Sequence, residues 1–551
     1  MIEDIDRLED RAGLEADLCI VGAGAAGISL ALQFVSTGHR VILLEGGGTT
    51  SDPATQSLYE GEVADKRLHA PPDRYRQRRF GGSTTIWGGR CMPFDPIDFE
   101  PRPYMAISGW PFGREVLDPY YVRANEICEA GAFAYTAATA FPDGMKEIIE
   151  GFRSERVSSD TLERFSRPTD FGRVYGGQLA GAGNIRVLLK ANVTRLQATT
   201  DGTRIDHVEV RTLSGKRFTV RASRFVLASG GIEIPRLLLA SNDVHAAGIG
   251  NGADLVGRTY MCHVAGTMGT LTVDRPTSAV WHGYEVSADG VYCRRRLAVT
   301  AETQRTLGIG NIVARLHHPR ITDPTHGSGA LSALYLILPL ISYEYSKRFK
   351  DEDPGSAGLW LRHAKNVVTD AFGTAGFLFH MLTKRVLAKR KFPSVIIHPK
   401  VNRFTLEFHG EQEPNLESRI TLIGETDRLG MPRVKVDWRY TSQDIRTVAV
   451  AYDVLAEEFD RTGVGHLAYD RERVEEIALR DGAYGGHHLG TARMSATPRD
   501  GVVDADCRVH GIANLYIAGG AVFPTSSQAN PTLTIVALSL RLAEHLKNAR
   551  G

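Results

Sequence analysis

A chain of 551 residues is too long for one small core and sets the expectation of several domains or one large discontinuous unit. Hydrophobic residues make up 42% and charged residues 23%, and 65 basic residues against 64 acidic ones leave a formal net charge of +1, which argues against nucleic acid as the main partner. Six scattered cysteines (Cys19, Cys91, Cys128, Cys262, Cys293, Cys507) form no Cys-x-x-Cys pair, so no thiolate metal site is expected and a reducing compartment suits them. Residues 1–15 are acidic and lack a basic leader, and no apolar run reaches the length of about eighteen residues needed for a spanning helix. The expectation is a cytoplasmic protein.

Residues 17–21, Asp-Leu-Cys-Ile-Val, read as a buried parallel strand, and Gly22-Ala23-Gly24-Ala25-Ala26-Gly27 follows at once. A helix over 28–35 and a strand over 40–44 complete a βαβ unit, with Glu45 about twenty residues after the glycines. This pattern predicts dinucleotide binding: glycines let the backbone approach a pyrophosphate at the helix N-terminus, and an acid there accepts ribose hydroxyls but repels a 2′-phosphate. Residues 46–79 look irregular and arginine-rich. Residues 80–90 then carry Gly81, Gly82, Gly88 and Gly89 around Ser83, Ile86 and Trp87. Four glycines among small hydroxyl residues exclude a helix or a well-packed strand and suggest a loop running along a cofactor.

A helix is predicted from 117 to about 130, and strands over 185–189, 193–198, 207–212, 216–220 and 225–229, the last ending at Gly230-Gly231 before a helix near Pro235. A nucleotide domain that resumes this far along the chain is discontinuous. From 258 to 470 strand-like alternation dominates, at 403–408, 419–422 and 433–438 among others, and is read as one antiparallel sheet with a helix over 444–459. Residues 331–341 are nearly all apolar, and 362–391 carry Arg362, Lys365, Lys384, Arg385, Lys389, Arg390 and Lys391 against the single acid Asp370. That composition suits either a lid or subunit interface with a solvated basic edge, or contact with an anionic membrane surface.

The C-terminal stretch gathers the chemistry. Gly485-Gly486-His487-His488-Leu489-Gly490-Thr491 is a glycine-rich loop bearing two histidines. A buried strand over 515–518 then ends at Gly519-Gly520, and Asn530-Pro531-Thr532 opens a last helix that Asn530 is expected to cap. A titratable base and an amide held on rigid elements suit proton abstraction.

These pieces resemble the glucose-methanol-choline (GMC) oxidoreductase family over nearly the whole chain. Gly22 to Gly27 with Glu45 is similar to its FAD fingerprint, 81–89 to its flavin-contacting loop and 230–241 to its second signature. His487-x-x-Gly490-Thr491 resembles its His-x-x-Gly-Thr motif, and Asn530-Pro531 its C-terminal Asn-Pro motif. The texture is closest to the branch holding pyranose 2-oxidase and bacterial glycoside 3-oxidases. The resemblance implies an α/β fold: a discontinuous Rossmann-like FAD-binding domain (1–100, 185–257, 471–551) and a substrate domain (101–184, 258–470) with a six-stranded antiparallel sheet and helices, 331–391 being a candidate lid. It implies bound FAD held by Gly22, Gly24, Ala26, Gly27, Glu45, Gly81, Gly82, Ser83, Trp87, Gly88, Gly89, Val193, Ser229, Gly519, Gly520, Asn530, Pro531 and Thr532. It also implies hydride transfer from an alcohol carbon to flavin N5, with His487 as base, Asn530 on the substrate oxygen and His488 in support. In pyranose 2-oxidase the residue before that tryptophan is a histidine bonded to the flavin; Ile86 cannot form the bond, so the FAD is expected to be non-covalent.

The leading expectation is therefore oxidation of a sugar or glycoside hydroxyl, with a non-sugar alcohol such as a lipid or natural-product intermediate as the alternative. An NAD-linked dehydrogenase would need a separate nicotinamide site, and a non-catalytic flavin subunit would not need His487 and Asn530. Oxygen, a quinone or an electron carrier could each accept the electrons, and the oligomeric state stays open.

Overall fold

Residues 18–21 form an unbroken apolar run because they are covered on both faces, and in the computed structural model they end the middle strand of an eight-stranded sheet, Gly13–Val21. The structure describes residues 1–337, 357–394, 396–483 and 485–548. Beside Gly13–Val21 run, in parallel, Val41–Leu44, Ile185–Leu189 and Ile2–Asp4 on one side and Arg217–Leu227 on the other. Antiparallel Ile205–Arg211 and Asn192–Ala198 close that edge.

Arg217–Leu227 is one strand, where two were expected over 216–220 and 225–229. Its middle, with Arg221, Ser223 and Arg224, is too polar to read as core. It stays extended because Gly13–Val21 pairs with it throughout, while its other side is shared. Ile205–Arg211 takes the first half and Leu515–Ile517 the second. The long strand therefore brings the C-terminal segment into the eight-stranded sheet beside the first βαβ unit. Helix Ala25–Leu32 and the C-terminal helix Thr532–Asn548 pack together, and Asp118–Ile127 and Phe171–Gly181 pack on these two helices.

The second sheet is six-stranded and antiparallel throughout, in the order Gly465–Ala468, His263–Val273, Arg403–Glu411, Ile312–His317, Leu297–Val299, Val157–Ser158. Its faces divide by the two-residue period of a strand. Phe404, Leu406 and Phe408 form a core with Val448, Ala451, Tyr452 and Leu455 of helix Ser442–Thr462. Glu407 and His409 point the other way, with His263 and Ala265 on the same face, toward the eight-stranded sheet.

Two expectations need correction. Arg419–Thr426 and Pro432–Asp437 do not join the large sheet; they form a three-stranded sheet with Gly61–Val63. A three-residue strand shows no periodicity, so residues 46–79 looked structureless. The 80–90 segment also holds one helical turn, a 3₁₀ turn over Gly82–Thr85. The hydroxyls of Thr84 and Thr85 close it by donating to the carbonyls of Gly81 and Gly82 at 2.6 and 2.9 Å. Among the described residues, no helix is long and apolar enough to cross a membrane.

Candidate active site

A cavity of about 630 Å³ runs between the two sheets. One end is the glycine turn after Gly13–Val21. Gly22 sits at φ +106°, and a Cβ on Gly27 would lie 1.9 Å from the Gly22 carbonyl oxygen, so helix Ala25–Leu32 starts flush against the strand. Glu45 lies beneath, its carboxylate accepting the N–H groups of Ala23 (2.9 Å) and Gly47 (2.8 Å). Burial raises the pKa of Glu45, opposed by those N–H groups and Arg78. The 80–90 segment crosses the turn: the Gly81 N–H donates to the Ala23 carbonyl at 2.9 Å, and the Trp87 indole donates to the Thr169 carbonyl at 2.9 Å.

The other end of the cavity is built by the C-terminal stretch. The histidine loop is stitched to the segment after Leu515–Ile517 by Gly490 N–H to the Gly520 carbonyl (3.0 Å) and Ala492 N–H to the Ala521 carbonyl (2.8 Å). Reciprocal bonds between Leu489 and Met261 (3.0 Å each) tie it to the six-stranded sheet. These ties aim the His487 ring at Asn530, whose Nδ2 is 3.2 Å from His487 Nε2. His487 Nδ1 lies 2.9 Å from Nδ1 of His263. With the Asn530 amide donating to Nε2, the His487 proton sits on Nδ1 and is given to His263. Burial, and then the charge of Arg90, push His487 down to about 4.

Asn530 was expected to cap the last helix. That helix begins at Thr532, its first rung running from Ile535 N–H to the Pro531 carbonyl at 2.8 Å, and the Asn530 amide is turned to His487 instead. The loop bearing Asn530 is held by groups that sequence reasoning missed. Arg296 donates to Gln528 Oε1 (2.8 Å), Gln528 Nε2 donates to Asp95 (2.9 Å), and His409 Nδ1 meets the Gln528 carbonyl. His263, His409 and His487 cluster as a result, with ring centroids 4.3 Å apart for the first pair and 4.9 Å for His263 and His487.

His488 turns away from this pair. Its Nδ1 is 2.6 Å from the Tyr260 hydroxyl, which also meets His69 Nε2 at 2.7 Å, and His69 Nδ1 faces its neighbour's carbonyl. That chain fixes every tautomer: His69 donates to Ala70, Tyr260 to His69, and His488 to Tyr260, leaving His488 Nε2 a bare lone pair. It is buried and has no protein partner. The phenol hydroxyl thus occupies the centre of the His69–Cys262–His488 group.

Of the residues singled out from sequence, all but Gly27 and Gly81 line this cavity; those two pack behind it. None of the described residues of 331–391 lines it, though Pro393 and Ser394 just beyond do, and 338–356 of that segment lie outside the described residues. Unanticipated wall residues include Arg76 and Glu233. Although Glu233 is buried, Arg236, Arg76 and Arg78 hold it down at about 2. A long cavity with a bare helix N-terminus at one end, the acid Glu45 on its lining, and the unpartnered buried Ser229 hydroxyl and His488 Nε2 belonging to residues of its wall fits a flavin dinucleotide.

Comparison with known proteins agrees. Residues 414–539 match the GMC oxidoreductase C-terminal family model. The chain is 25% identical to paromamine 6'-oxidase of Streptomyces fradiae over 576 residues, covering 96% of this chain and 90% of that protein. A C-glycoside 3-oxidase of Arthrobacter globiformis is 35% identical over 130 residues, 22% of this chain and 23% of that protein. Among solved structures, pyridoxine 4-oxidase from "Mesorbium loti" superposes with a TM-score of 0.53 at 17% identity over 97% of this chain and 100% of that one, which shows a shared fold. With a C-terminal region that matches the GMC oxidoreductases and oxidase and dehydrogenase relatives along nearly all of its length, the chain is an enzyme, an oxidoreductase similar to that family.

Proposed function

We propose that this enzyme is an FAD-dependent alcohol oxidoreductase that oxidises a secondary hydroxyl of a sugar or glycoside, with His487 as base. The observation that carries this reading is the convergence of His487 Nε2 and the Asn530 amide on one point of the cavity wall. A hydroxyl oxygen placed there would receive the Asn530 N–H while giving its proton to Nε2. Loss of that proton builds negative charge on oxygen and loosens the hydrogen on the carbon. FAD, the cofactor general to the family, supplies the two-electron acceptor when bound. His263 holds the His487 ring through Nδ1 and so keeps the lone pair on Nε2 facing the cavity. His488, turned to Tyr260, supports the loop.

For the cofactor, Gly22 and Gly24 at the start of helix Ala25–Leu32 would take the pyrophosphate and Glu45 the ribose. Gly82 to Gly89, Val193, Ser229, Gly519 and Gly520 would flank the rest, with Pro531 and Thr532 near the ring. Ile86 lines this cavity and has no nucleophilic atom, which supports non-covalent attachment. Acid precipitation of the purified enzyme should release all yellow colour; a yellow pellet would refute it.

The names of the relatives support a sugar-like substrate: one acts on paromamine, another on C-glycosides. The six cysteines, all free and buried, support a reducing compartment, and we read the protein as cytoplasmic. The substrate reading is tested by anaerobic titration of the flavoprotein with sugars, glycosides and simple aliphatic alcohols. Sugars or glycosides should bleach the flavin at lower concentration; bleaching by aliphatic alcohols alone would transfer the assignment to a non-sugar alcohol.

A further inference from the structure

Helix Ala371–Met381 carries no Asp, Glu, Lys or Arg, and none of its residues is buried. A helix apolar all round is stable when something apolar surrounds it, and the described residues do not supply that cover. Phe372 is 96% exposed, and Leu378 and Phe379 are exposed with it. The preceding helix, Ala357–Thr369, is firmly seated by one face. His363 stacks on Tyr335 with centroids 4.0 Å apart, Asn366 donates to the Pro324 carbonyl at 2.8 Å, and Asp370, just after the helix, accepts the Gly329 N–H at 2.8 Å. Its outer face shows Leu361 and Val368. In all, nine of the seventeen exposed large apolar side chains among the described residues fall between Trp360 and Leu387. A single surface so enriched marks an interaction site.

Among the described residues of 357–394 the charges are almost all of one sign. Arg362, Lys365, Lys384, Lys389 and Lys391 are exposed, and the only acid among the described residues of 357–394 is Asp370, which is already bonded to Gly329 and paired with Lys400 at 2.7 Å. We propose that this face docks on an anionic lipid bilayer. Phenylalanine and leucine side chains would enter the acyl boundary, and the lysines, with their long apolar stems, would reach the phosphates. A second copy of the chain fits worse, because a two-fold contact would set these five cations against the same five.

The docking face is tied to the catalytic cavity through one segment. The Phe392 N–H donates to the Lys384 carbonyl at 2.8 Å, the Arg385 guanidinium donates to the Pro393 carbonyl at 2.7 Å, and Pro393 and Ser394 line the cavity. Phe392 also packs edge-on against Tyr284, another cavity residue, at 5.0 Å. Docking would thus set a wall of the cavity next to solutes held in the bilayer.

The test is sedimentation of the holoenzyme with vesicles of phosphatidylcholine alone and of phosphatidylcholine mixed with phosphatidylglycerol. The enzyme should follow the mixed vesicles, ignore the neutral ones and be released by salt. Phe372→Ser with Phe379→Ser, and separately Lys384→Glu with Lys389→Glu, should each lower partitioning by roughly tenfold or more while flavin content stays unchanged. Failure of the wild type to bind mixed vesicles overturns the proposal, as does binding that neither pair of substitutions weakens. A drop in oligomer mass caused by the Phe372→Ser, Phe379→Ser pair in vesicle-free solution also overturns it, since the face would then be buried between copies of the chain.

Discussion

Gly24→Val should purify as a folded protein that has lost its flavin. The turn after Gly13–Val21 holds two glycines with different duties. At Gly27 a Cβ would sit 1.9 Å from the Gly22 carbonyl oxygen, so any side chain there pushes the helix off the strand and damages the fold. At Gly24 a Cβ meets no protein atom within 4 Å, and the residue lines the cavity. A valine at Gly24 therefore displaces only what the cavity holds, at the place where the backbone must approach a pyrophosphate. Gly24→Val should keep the wild-type far-ultraviolet circular dichroism while its flavin-to-protein absorbance ratio falls close to zero. Gly27→Val should instead be poorly soluble. A yellow Gly24→Val protein would mean that the dinucleotide does not cross this turn.

His487→Ala should retain FAD and reduce it ~10²–10⁴-fold more slowly, the usual worth of positioned proton transfer. The ring stands on the cavity wall, and among the described residues no other base shares its contact with Asn530. His488→Ala should be much milder, since that ring is turned to Tyr260. Asn530→Ala should fall between, losing one donated hydrogen bond but no proton acceptor. The pH dependence carries the same assignment. A base works unprotonated, and burial together with Arg90 holds His487 at about 4, below the histidine norm. Its neutral form therefore dominates at neutral pH, and the reduction rate should stay flat on mild acidification and fall only as pH drops through about 4. An acid limb near the ordinary histidine value of about 6.5 would show that burial does not govern this group. Stopped-flow reduction of the wild type and the three variants reads all of this.

What was legible from the sequence was what is encoded locally. The βαβ unit with Gly22, Gly24, Gly27 and Glu45 is contiguous, and its chemistry follows from spacing alone. The pairing of His487 with Asn530 lay within one C-terminal stretch, so a loop, a strand and a helix start were enough to suggest that they meet. His263 and His409 could not be found this way. They come from strands separated by about half the second domain, and only the antiparallel register of His263–Val273 with Arg403–Glu411 sets them on one face. The single hint was in Arg403–Glu411, where Thr405, Glu407 and His409 alternate with Phe404, Leu406 and Phe408 and so share one face. Arg296 and Gln528 were hidden for a similar reason: a buried arginine supporting a loop has no local signature. Asn530 read as a helix cap because asparagine before Pro-Thr has that propensity, and a tertiary partner outbid it. The strands over 419–437 were assigned to the wrong sheet because their partner, Gly61–Val63, is distant and three residues long.

The central claim is that an alcohol carbon gives up its hydrogen in the step that reduces the flavin, once its hydroxyl proton has a base. The most direct measurement is anaerobic single-turnover reduction with the best substrate of the sugar and glycoside panel, unlabelled and deuterated at the carbon that bears the reacting hydroxyl. The account predicts that the flavin bleaches with both and that the deuterated substrate bleaches it several-fold more slowly in the wild-type enzyme. Flavin that stays oxidised with every alcohol offered, or reduction that is blind to deuterium on that carbon even when chemistry limits the rate in His487→Ala, would contradict it.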